Sequence, residues 1–306
     1  MLELFMFSII IPNYNGKKFL ESSLGSIFKQ KGKIKKEVIV VDNGSADGSV
    51  EWLKRPTAPT FRGEKLKVIF NKKNLGFAKA VNQGIKQAKY DYLIVMNNDL
   101  KLEKNWLQIM EKAIKRWSKK EKIGAYFGKV LDWEGKRLES AGLVYFSSGK
   151  AFNRGNGEPI KKRKYNQEEV IWGGSASVIV YRKEALKKVG LFDPLFFAYL
   201  EDVDLALRLN ASGFKTVFVP QALSYHKGGG TADLTPNLRY RLVARNWWFI
   251  ILKHYSANYL FRHLPGIVLE QFKNFLKVGN LSGMIWVVRE LVLKCPKLIK
   301  KRKPLF

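Results

Sequence analysis

Short apolar runs rich in β-branched residues alternate with amphipathic helical patterns through the first 130 residues, and this alternation limits the possible folds more than any other feature. We predict strands at 7–12, 37–41, 66–70 and 92–96, and helices at 17–29, 49–54, 77–88 and 106–117. Apolar strands that are separated by helices form a parallel sheet with helices on both faces. The sequence therefore predicts an α/β fold with a mostly parallel sheet.

The chain changes in character twice beyond these units. Residues 123–181 contain shorter strand patterns and many glycines, and the pattern from Pro236 onward is helical and basic. We predict one domain over 1–232, made of halves 1–100 and 101–232, followed by a basic amphipathic helical segment over 233–306. The length of 306 residues suits one large α/β domain with such an appendage.

The loops after the first four predicted strands are all rich in Asn, Asp and Gly. In an open α/β sheet, ligands bind at the carboxyl ends of the strands, where such loops meet. Turns and helix caps explain one loop of this kind, but four at the same sheet edge indicate a polar pocket. The loops contain Pro12-Asn13-Tyr14-Asn15-Gly16, Asp42-Asn43-Gly44-Ser45, Asn74-Leu75-Gly76-Phe77 and Asn97-Asn98-Asp99.

A diphosphate bound in this pocket would need a cation, because the sequence has neither a Gly-x-Gly-x-x-Gly nor a Gly-x4-Gly-Lys-Ser/Thr loop to cradle phosphate. Mg²⁺ and Mn²⁺ prefer oxygen ligands, often one or two carboxylates together with substrate phosphate. Asp99 is the obvious anchor for such a cation, whereas Asn97 offers only a neutral oxygen. His226 follows the strand pattern at 215–219 and is either a structural residue or a further ligand.

Three carboxylates stand within four positions at the start of a predicted helix. Acids at a helix N-terminus are stabilised by about 0.3–1 kcal/mol each, which is one explanation of the cluster. In a helical projection, Glu201, Asp204 and Arg208 share one polar face, and the last two form an i,i+4 pair. Asp202 falls among apolar positions instead, where an acid costs several kcal/mol unless it has partners or a wet cleft. We therefore predict that Asp202 is the functional carboxylate.

The C-terminal segment is basic and aromatic. From Pro236 onward it has fourteen Lys and Arg residues against two acidic ones, which is +12 of the chain's net charge of +29. Lysine interleaved with aromatic residues suits an anionic membrane surface, where each basic residue contributes about 1 kcal/mol near the headgroups. The same composition suits nucleic acid, or a solvated surface without function.

Cysteine content and the N-terminus indicate the compartment. A single cysteine, Cys295, excludes a disulfide scaffold and a cysteine-based zinc site, and is typical of a reducing compartment. Residues 1–11 are apolar without a basic leader, so we predict a buried strand there and not a signal peptide. No apolar run approaches about 18 residues, so we predict no transmembrane helix.

Taken together, these residues resemble the family 2 glycosyltransferases, which have the GT-A fold, and most of all the branch that includes rhamnosyltransferases of cell-surface polysaccharide synthesis. The resemblance covers roughly residues 5–230, with its motifs in the correct order. It rests on the segments 8–16, 41–49, 74–77, 96–99, 173–176, 190–193 and 199–208, together with Asn82, Pro220 and His226.

The resemblance implies inverting transfer of a sugar from a nucleoside diphosphate donor. Asp42, with Pro12 and Tyr14, would hold the nucleobase and ribose. Asp99 occupies the last position of the family's Asp-x-Asp metal motif, with Asn97 at the first, so a Mn²⁺ or Mg²⁺ cofactor is expected.

Further site residues follow from the same resemblance. His226 matches a position that can complete the metal shell, and Asp202 matches the catalytic base. Other substrate contacts are expected from the remaining motif residues, namely Asn13, Asn43, Gly76, Asn82, Asn98, Trp172, Gly173, Ser175, Tyr199 and Glu201. The expected donor is deoxythymidine diphosphate rhamnose, with uridine diphosphate sugars next.

The resemblance also bears on the acceptor and the location. Processive synthases of this superfamily carry a Gln-x-x-Arg-Trp motif and transmembrane helices, neither of which is found here, so we expect one sugar per encounter. The acceptor is expected to be a saccharide or a lipid-linked saccharide. The basic segment would then be a peripheral anchor on the inner, cytoplasmic face of the cell membrane.

Two other functions are compatible with parts of the sequence. A nucleotidyltransferase would carry a basic, glycine-rich first loop, but the loop at 12–16 contains no arginine. A nucleic-acid-binding protein would use the high positive charge, but no segment resembles a nucleic-acid module and the acidic loops would repel phosphate. We therefore expect no specific nucleic-acid partner.

Overall fold

The computed structural model describes residues 5–55, 66–228 and 236–306. In chain order, its strands are β1 (Met6–Asn13), β2 (Lys35–Asp42), β3 (Leu66–Phe70), β4 (Tyr92–Met96), β5 (Leu100–Leu102), β6 (Ile123–Asp132), β7 (Leu138–Ser140), β8 (Leu143–Tyr145), β9 (Ala151–Asn153), β10 (Glu169–Ile171), β11 (Val178–Arg182) and β12 (Lys215–His226). Its helices are α1 (Lys17–Phe28), α2 (Ser49–Lys54), α3 (Phe77–Gln87), α4 (Trp106–Trp117), α5 (Lys183–Val189), α6 (Glu201–Ala211), α7 (Pro236–His254), α8 (Ala257–Val278) and α9 (Leu281–Lys300). The strands and helices predicted up to residue 117 are confirmed, each ending within two residues of the expected position.

Within the described residues, ten strands form one sheet, and β8 and β9 form a separate hairpin. The strand order is β10-β12-β6-β11-β4-β1-β2-β3, with β5 added beside β12 and β7 beside β6. Strands β3, β2, β1 and β4 are parallel to one another, as the βα alternation predicts. Strand β11 runs antiparallel to both β4 and β6, so the second half of the sheet is mixed.

The centre of the sheet is covered on both faces. Ile9, Ile10 and Ile11 of β1 are all fully buried, although successive residues of a strand point to opposite sides. Burial of a side chain of this size contributes about 1.5–3 kcal/mol. The parallel register also brings strand ends together: Asn13, at the end of β1, pairs with Asp42, at the end of β2.

Helix α7, which the sequence predicts to belong to the C-terminal segment, packs against α6 and the residues before it. Phe249 and Ile250 are fully buried, and they belong to a cluster that also contains Phe196 and residues of α6. The predicted boundary at 232/233 lies outside the described residues.

Helices α8 and α9 have local sequence signals at their ends. The Ser256 hydroxyl accepts a hydrogen bond from Tyr259 N at the start of α8, and Gly279 ends that helix at a φ of 75°. The Asn280 side chain caps α9 by accepting from Gly283 N. None of the helices in the described part of the chain is both long and apolar enough to cross a membrane.

Candidate active site

Polar side chains at the ends of β1, β2 and β4 form one hydrogen-bond network. Asn13 Nδ2 donates to Asp42 Oδ2 at 2.8 Å, and Asn98 Nδ2 donates to Asn13 Oδ1 at 2.6 Å. The other oxygen of Asp42 accepts from the backbone N–H groups of Gly44 and Ser45. Because Asp42 and Asn13 are closed to solvent, their side chains order these loops. Direct contact of either residue with a donor stays a prediction.

Asn43 extends this network to the next loop. Its Oδ1 accepts from Asn71 Nδ2 and from Leu75 N, both at 3.0 Å, and its Nδ2 donates to Asn74 Oδ1 at 2.9 Å. The sheet edge is therefore polar, as the four loops predicted. Pro12 and Tyr14 lie half-buried on the same edge.

Gly76 and Asn82, both expected to contact substrate, join α3 to the segment before α6. A Cβ atom on Gly76 would lie 2.5 Å from Cδ2 of Phe197, and the φ of this glycine is 85°, so the close approach needs a glycine. The Asn82 side chain donates to Phe192 O at 2.8 Å and accepts from Phe192 N at 3.2 Å. The polar atoms of Asn82 are thus directed at protein backbone, and its contact with substrate stays a prediction.

Asp99 and His226 lie together, as the proposed metal motif requires. Strand β5 pairs with β12 so that Leu100 is opposite His226, and His226 Nε2 lies 3.1 Å from Asp99 Oδ1. On its other side, His226 Nδ1 lies 2.6 Å from Glu139 Oε1. Burial lowers the pKa of His226, but the hydrogen bonds to Asp99 and Glu139 outweigh this effect and raise the pKa to about 10.

The chemistry of this pair suits a divalent cation. The separation of 3.1 Å between Asp99 Oδ1 and His226 Nε2 is that of a hydrogen bond, so a cation here would displace the proton between the two atoms, because only a neutral imidazole binds a metal. Because Mg²⁺ strongly prefers oxygen, an imidazole ligand favours Mn²⁺ of the two expected metals. The described residues contain no group of three or more acidic, His or Cys side chains that could hold a metal by themselves.

Asp202 is held in a fixed orientation at the start of α6. Its Oδ2 accepts from Ala176 N at 3.0 Å, and its Oδ1 accepts from Val203 N at 2.8 Å, with a further hydrogen bond to Ser175. Burial raises the pKa of Asp202, although these hydrogen bonds favour the charged form. A half-buried carboxylate with a raised pKa is suited to accept a proton near neutral pH.

Glu201 stands beside this carboxylate. It is buried, and its Oε2 has no hydrogen-bond partner among the described residues. Burial and the neighbouring Asp202 raise the pKa of Glu201 well above its usual range. Two carboxylates side by side in a buried position disfavour the state in which both are ionised.

Comparison with known families identifies the chain. The family described as "Glycosyl transferase family 2" matches residues 8–190, and "Glycosyl transferase family group 2" matches residues 112–289. The chain belongs to glycosyl transferase family 2. It is therefore a glycosyltransferase, as the sequence motifs predicted.

Curated relatives and solved structures agree with this assignment. The chain is 28% identical over 216 residues to an N-acetylglucosaminyl-diphospho-decaprenol L-rhamnosyltransferase of Mycobacterium tuberculosis, covering 63% of this chain and 67% of the relative. It is 24% identical over 311 residues to a dolichyl N-acetyl-alpha-D-glucosaminyl phosphate 3-beta-D-2,3-diacetamido-2,3-dideoxy-beta-D-glucuronosyltransferase of Methanococcus voltae. This match covers 98% of this chain and 89% of the relative.

Two solved structures confirm the GT-A fold. GalNAc-T7 with UDP, GalNAc and Mn²⁺ has a TM-score of 0.64 at 16% identity, covering 97% of this chain and 58% of that one. S. aureus TarS 1-349 in complex with UDP-GlcNAc has a TM-score of 0.58 at 20% identity, covering 97% of this chain and 83% of that one.

The structure of this glycosyltransferase corrects the projected polar face of α6. The pair of Asp204 and Arg208 is confirmed, with Arg208 Nε donating to Asp204 Oδ2 at 2.9 Å, but Asp204 is fully buried. Lys253 and His254 of α7 cover it at 2.6 and 2.8 Å. Although burial raises the pKa of Asp204, the charges of Arg208 and Lys253 and the hydrogen bond with His254 hold it far below its usual range. A projection identifies a polar face without showing which element covers it.

Residues Arg245 and Asn246, which we call the loop clasp, were not found by sequence reasoning. They hold the 197–200 loop, in which Phe197, Tyr199 and Leu200 have φ values of 65°, 68° and 64°. Each such conformation costs a non-glycine residue about 1–3 kcal/mol. The loop leads directly into Glu201 and Asp202, so its shape sets the position of the carboxylate that we predict to be the base.

The contacts of the loop clasp are made by buried side chains. Asn246 Nδ2 donates towards the carbonyl oxygens of Phe196, Ala198 and Tyr199, at 3.0, 2.8 and 2.7 Å. Arg245 Nη2 donates to Phe196 O at 2.8 Å, and its Nη1 donates to Glu290 of α9 at 3.0 Å. Two polar residues inside the apolar run of α7 were the available sequence signal.

The segment from Trp172 to Ala176 is docked on α6. A Cβ on Gly173 would lie 2.8 Å from Ala206 Cβ, and Asn210 Nδ2 donates to Trp172 O at 2.7 Å. The ring of Trp172 stacks on Tyr145 with a centroid distance of 4.8 Å, so one of its faces is covered. The proposed part of Trp172 in the sugar pocket stays a prediction.

Proposed function

We propose that this glycosyltransferase transfers one sugar per encounter, with inversion, from a nucleoside diphosphate donor to a saccharide or lipid-linked saccharide in cell-envelope polysaccharide synthesis. The observation that carries the proposal is the link between the metal pair and the base. Asn97, which lies three residues before the start of β5, donates its backbone N–H to Ser177 O. Ala176, the residue before Ser177, donates its backbone N–H to the Asp202 carboxylate. One short stretch thus joins the Asp99 loop to the proposed base.

The mechanism follows from these positions. Asp202 accepts the proton of the acceptor hydroxyl as that oxygen attacks the anomeric carbon, and such base catalysis contributes about 10²–10⁴-fold to the rate. Attack from the face opposite the leaving diphosphate inverts the anomeric centre. A Mn²⁺ ion held by Asp99 and His226 would act as a Lewis acid for the leaving diphosphate. The raised pKa of Glu201 disfavours a second negative charge beside Asp202.

The relatives support particular substrates. The Mycobacterium tuberculosis protein is named as a rhamnosyltransferase and supports deoxythymidine diphosphate rhamnose as the donor. Both relatives carry names in which N-acetylglucosamine is attached to a polyprenyl phosphate or diphosphate. We therefore propose an acceptor of this class, an amino sugar linked through phosphate to a polyprenyl lipid.

The donor class is tested by thermal unfolding with a panel of nucleoside diphosphates, with and without Mn²⁺. A nucleotide at 100 times its Kd stabilises the folded protein by about 2.7 kcal/mol, which corresponds to a shift of several degrees. We expect deoxythymidine diphosphate to give the largest shift, and Mn²⁺ to increase it. In Asp99→Asn, the part of the nucleotide-induced thermal shift that depends on Mn²⁺ should disappear, while the shift measured in EDTA should remain. Equal shifts with Mn²⁺ and EDTA in the wild type would contradict the metal site.

We also propose that α8 and α9 dock on an anionic membrane. Each helix carries a row of exposed apolar side chains at helical spacing, and a stripe of this kind marks an interaction surface. The rows consist of Phe261, Leu264, Val268, Phe272 and Leu276 on α8, and of Leu281, Ile285, Val288 and Val292 on α9. The basic charge of the segment complements anionic headgroups, which favours the inner face of the cell membrane over a second copy of the chain.

Flotation with anionic vesicles at low salt tests this surface. Wild-type protein should float with vesicles containing phosphatidylglycerol. The double variant Phe261→Glu/Val292→Glu should bind at least tenfold more weakly, because burial of one large apolar side chain contributes about 1.5–3 kcal/mol. Phe70→Glu, at an exposed phenylalanine of β3, is the matched control. Failure of the wild type to bind, or a change from dimer to monomer in the double variant, would overturn the proposal.

A further inference from the structure

A groove of about 500 Å³ lies between the β8–β9 hairpin, α7 and α8, outside the site described above. We call it the hairpin groove, and the residues used here are Lys150, Phe152, Leu200, Trp247, Gln271 and Lys273. We propose that the hairpin groove binds the sugar-phosphate headgroup of the acceptor. This inference rests on the proposed function, because it assigns a place to the acceptor of that reaction.

The first observation is an unpartnered amide in the groove wall. Gln271 is only 5% exposed, yet neither its Nε2 nor its Oε1 has a hydrogen-bond partner within the described chain. A buried polar group without a partner costs about 1–3 kcal/mol, and native proteins rarely leave both atoms of an amide in this state. Both amide atoms are closed to solvent here, and a rotation of the side chain towards the groove would offer one donor group and one acceptor to the hydroxyl and acetamido groups of an amino sugar.

The second observation is the charge around the groove. Lys150, Lys273 and Lys277 contribute three ammonium groups, against one carboxylate, Glu270. Glu270 lies 3.4 Å from Lys150 Nζ and 3.3 Å from Lys273 Nζ, so it holds two of the cations near each other. The net positive charge suits a phosphate or diphosphate, which lysine binds as a point charge.

The third observation connects the groove to the chemistry. Leu200 forms part of its wall, and it precedes Asp202 by two residues in a loop whose shape the clasp fixes. Trp247 and Phe152 also line the groove, and the exposed ring of Phe152 offers an apolar surface against which a sugar ring can pack. A headgroup in the groove would therefore contact the loop that leads into the proposed base.

The groove is also continuous with the proposed membrane surface. Leu276 lines the groove and belongs to the exposed apolar row of α8. A polyprenyl chain would leave the groove along this row, with its phosphate at the lysines and its sugar near Gln271. A free phosphate shares only the lysine contacts, so the two sources can be separated by experiment.

The test uses the full chain and farnesyl diphosphate-linked N-acetylglucosamine as the acceptor. Gln271→Leu and Lys273→Gln should each raise the acceptor KM about tenfold, while kcat at saturation and the nucleotide-induced thermal shift stay unchanged. Gln271→Leu removes unpaired polar atoms from a buried position, so it should fold at least as well as the wild type. Lys115→Gln is the matched control, because Lys115 is equally exposed and also pairs with a glutamate on its own helix.

A phosphate-free acceptor, octyl N-acetylglucosaminide, separates the two parts of the site. With it, Gln271→Leu should still raise KM, whereas Lys273→Gln should not, because no phosphate is present. An unchanged KM in both variants with the farnesyl acceptor would overturn the proposal, and so would equal effects of Lys273→Gln on both acceptors.

Direct binding distinguishes a failure of this inference from a failure of the proposed function. Farnesyl diphosphate should quench tryptophan fluorescence in the wild type, and the extent of quenching should be smaller in Trp247→Phe. In Lys273→Gln, the same quenching should require about tenfold more farnesyl diphosphate. Inorganic pyrophosphate should bind more weakly than farnesyl diphosphate. If no sugar is transferred but this quenching occurs, the acceptor class is wrong and the groove still binds a lipid phosphate. If transfer occurs without quenching at Trp247, the groove assignment is wrong.

Discussion

Asp202→Asn is expected to lower kcat about 10²–10⁴-fold, which is the usual contribution of a general base. The amide keeps the size of the side chain and can still accept from Ala176 N, so the fold of the loop should be preserved. Because an amide cannot take the acceptor proton, the loss should appear in kcat and not in the nucleotide-induced thermal shift. Transfer of radiolabelled sugar under saturating donor and acceptor measures the effect.

The pH dependence gives this prediction a second readout. Asp202 works as a base only when ionised, and burial raises its pKa, so kcat/KM of the wild type should rise with pH through a value above that of an ordinary aspartate. Glu201→Gln is the control, because the amide imitates the protonated carboxyl group and should cost far less activity. Near wild-type turnover in Asp202→Asn would show that another group is the base.

Local patterns predicted the parts of this site that depend on nearby sequence. Asp202 was predicted to be functional because its position in the helical projection is anomalous, and this stays a prediction. The polar loops after β1, β2 and β4 were predicted to meet because strand ends lie at one edge, and their side chains do form one network. Asp99 and His226 were paired by family resemblance, and the register of β5 against β12 accounts for their contact.

The rest of the site depends on contacts between residues that are far apart in the sequence. Glu139 reaches His226 only because β7 adds to the edge of β6, and a single glutamate in a short strand carries no pattern that shows this. Asp204 was placed on a polar face, but only the packing of α7 shows that the face is buried. The partners of the 197–200 loop lie more than 40 residues further along the chain, so periodicity could not predict them.

The Asn246 side chain gives the second large expected effect. Asn246→Ala removes the side-chain hydrogen bonds to the carbonyl groups of Ala198 and Tyr199, while Phe196 O keeps its bond from Arg245, and it loosens a loop that contains three strained residues. We expect the free energy of unfolding to fall by about 1–3 kcal/mol. We also expect kcat to fall about 10²-fold, because a misplacement of about 1 Å at the reacting centre has an effect of this size. Denaturant unfolding and saturating transfer assays measure the two losses.

A role in positioning differs from a role in stability, and the matched variant Val287→Ala separates them. Val287 is fully buried between the C-terminal helices, so its truncation should also destabilise the protein without touching the loop. At a temperature where both variants are folded, only Asn246→Ala should lose kcat. The apparent pKa in the pH profile of its kcat/KM should also differ from that of the wild type, because Asp202 moves relative to Ala176 N. If Asn246→Ala loses stability but keeps the kcat and the pH profile of the wild type, the clasp stabilises the fold and does not position the base.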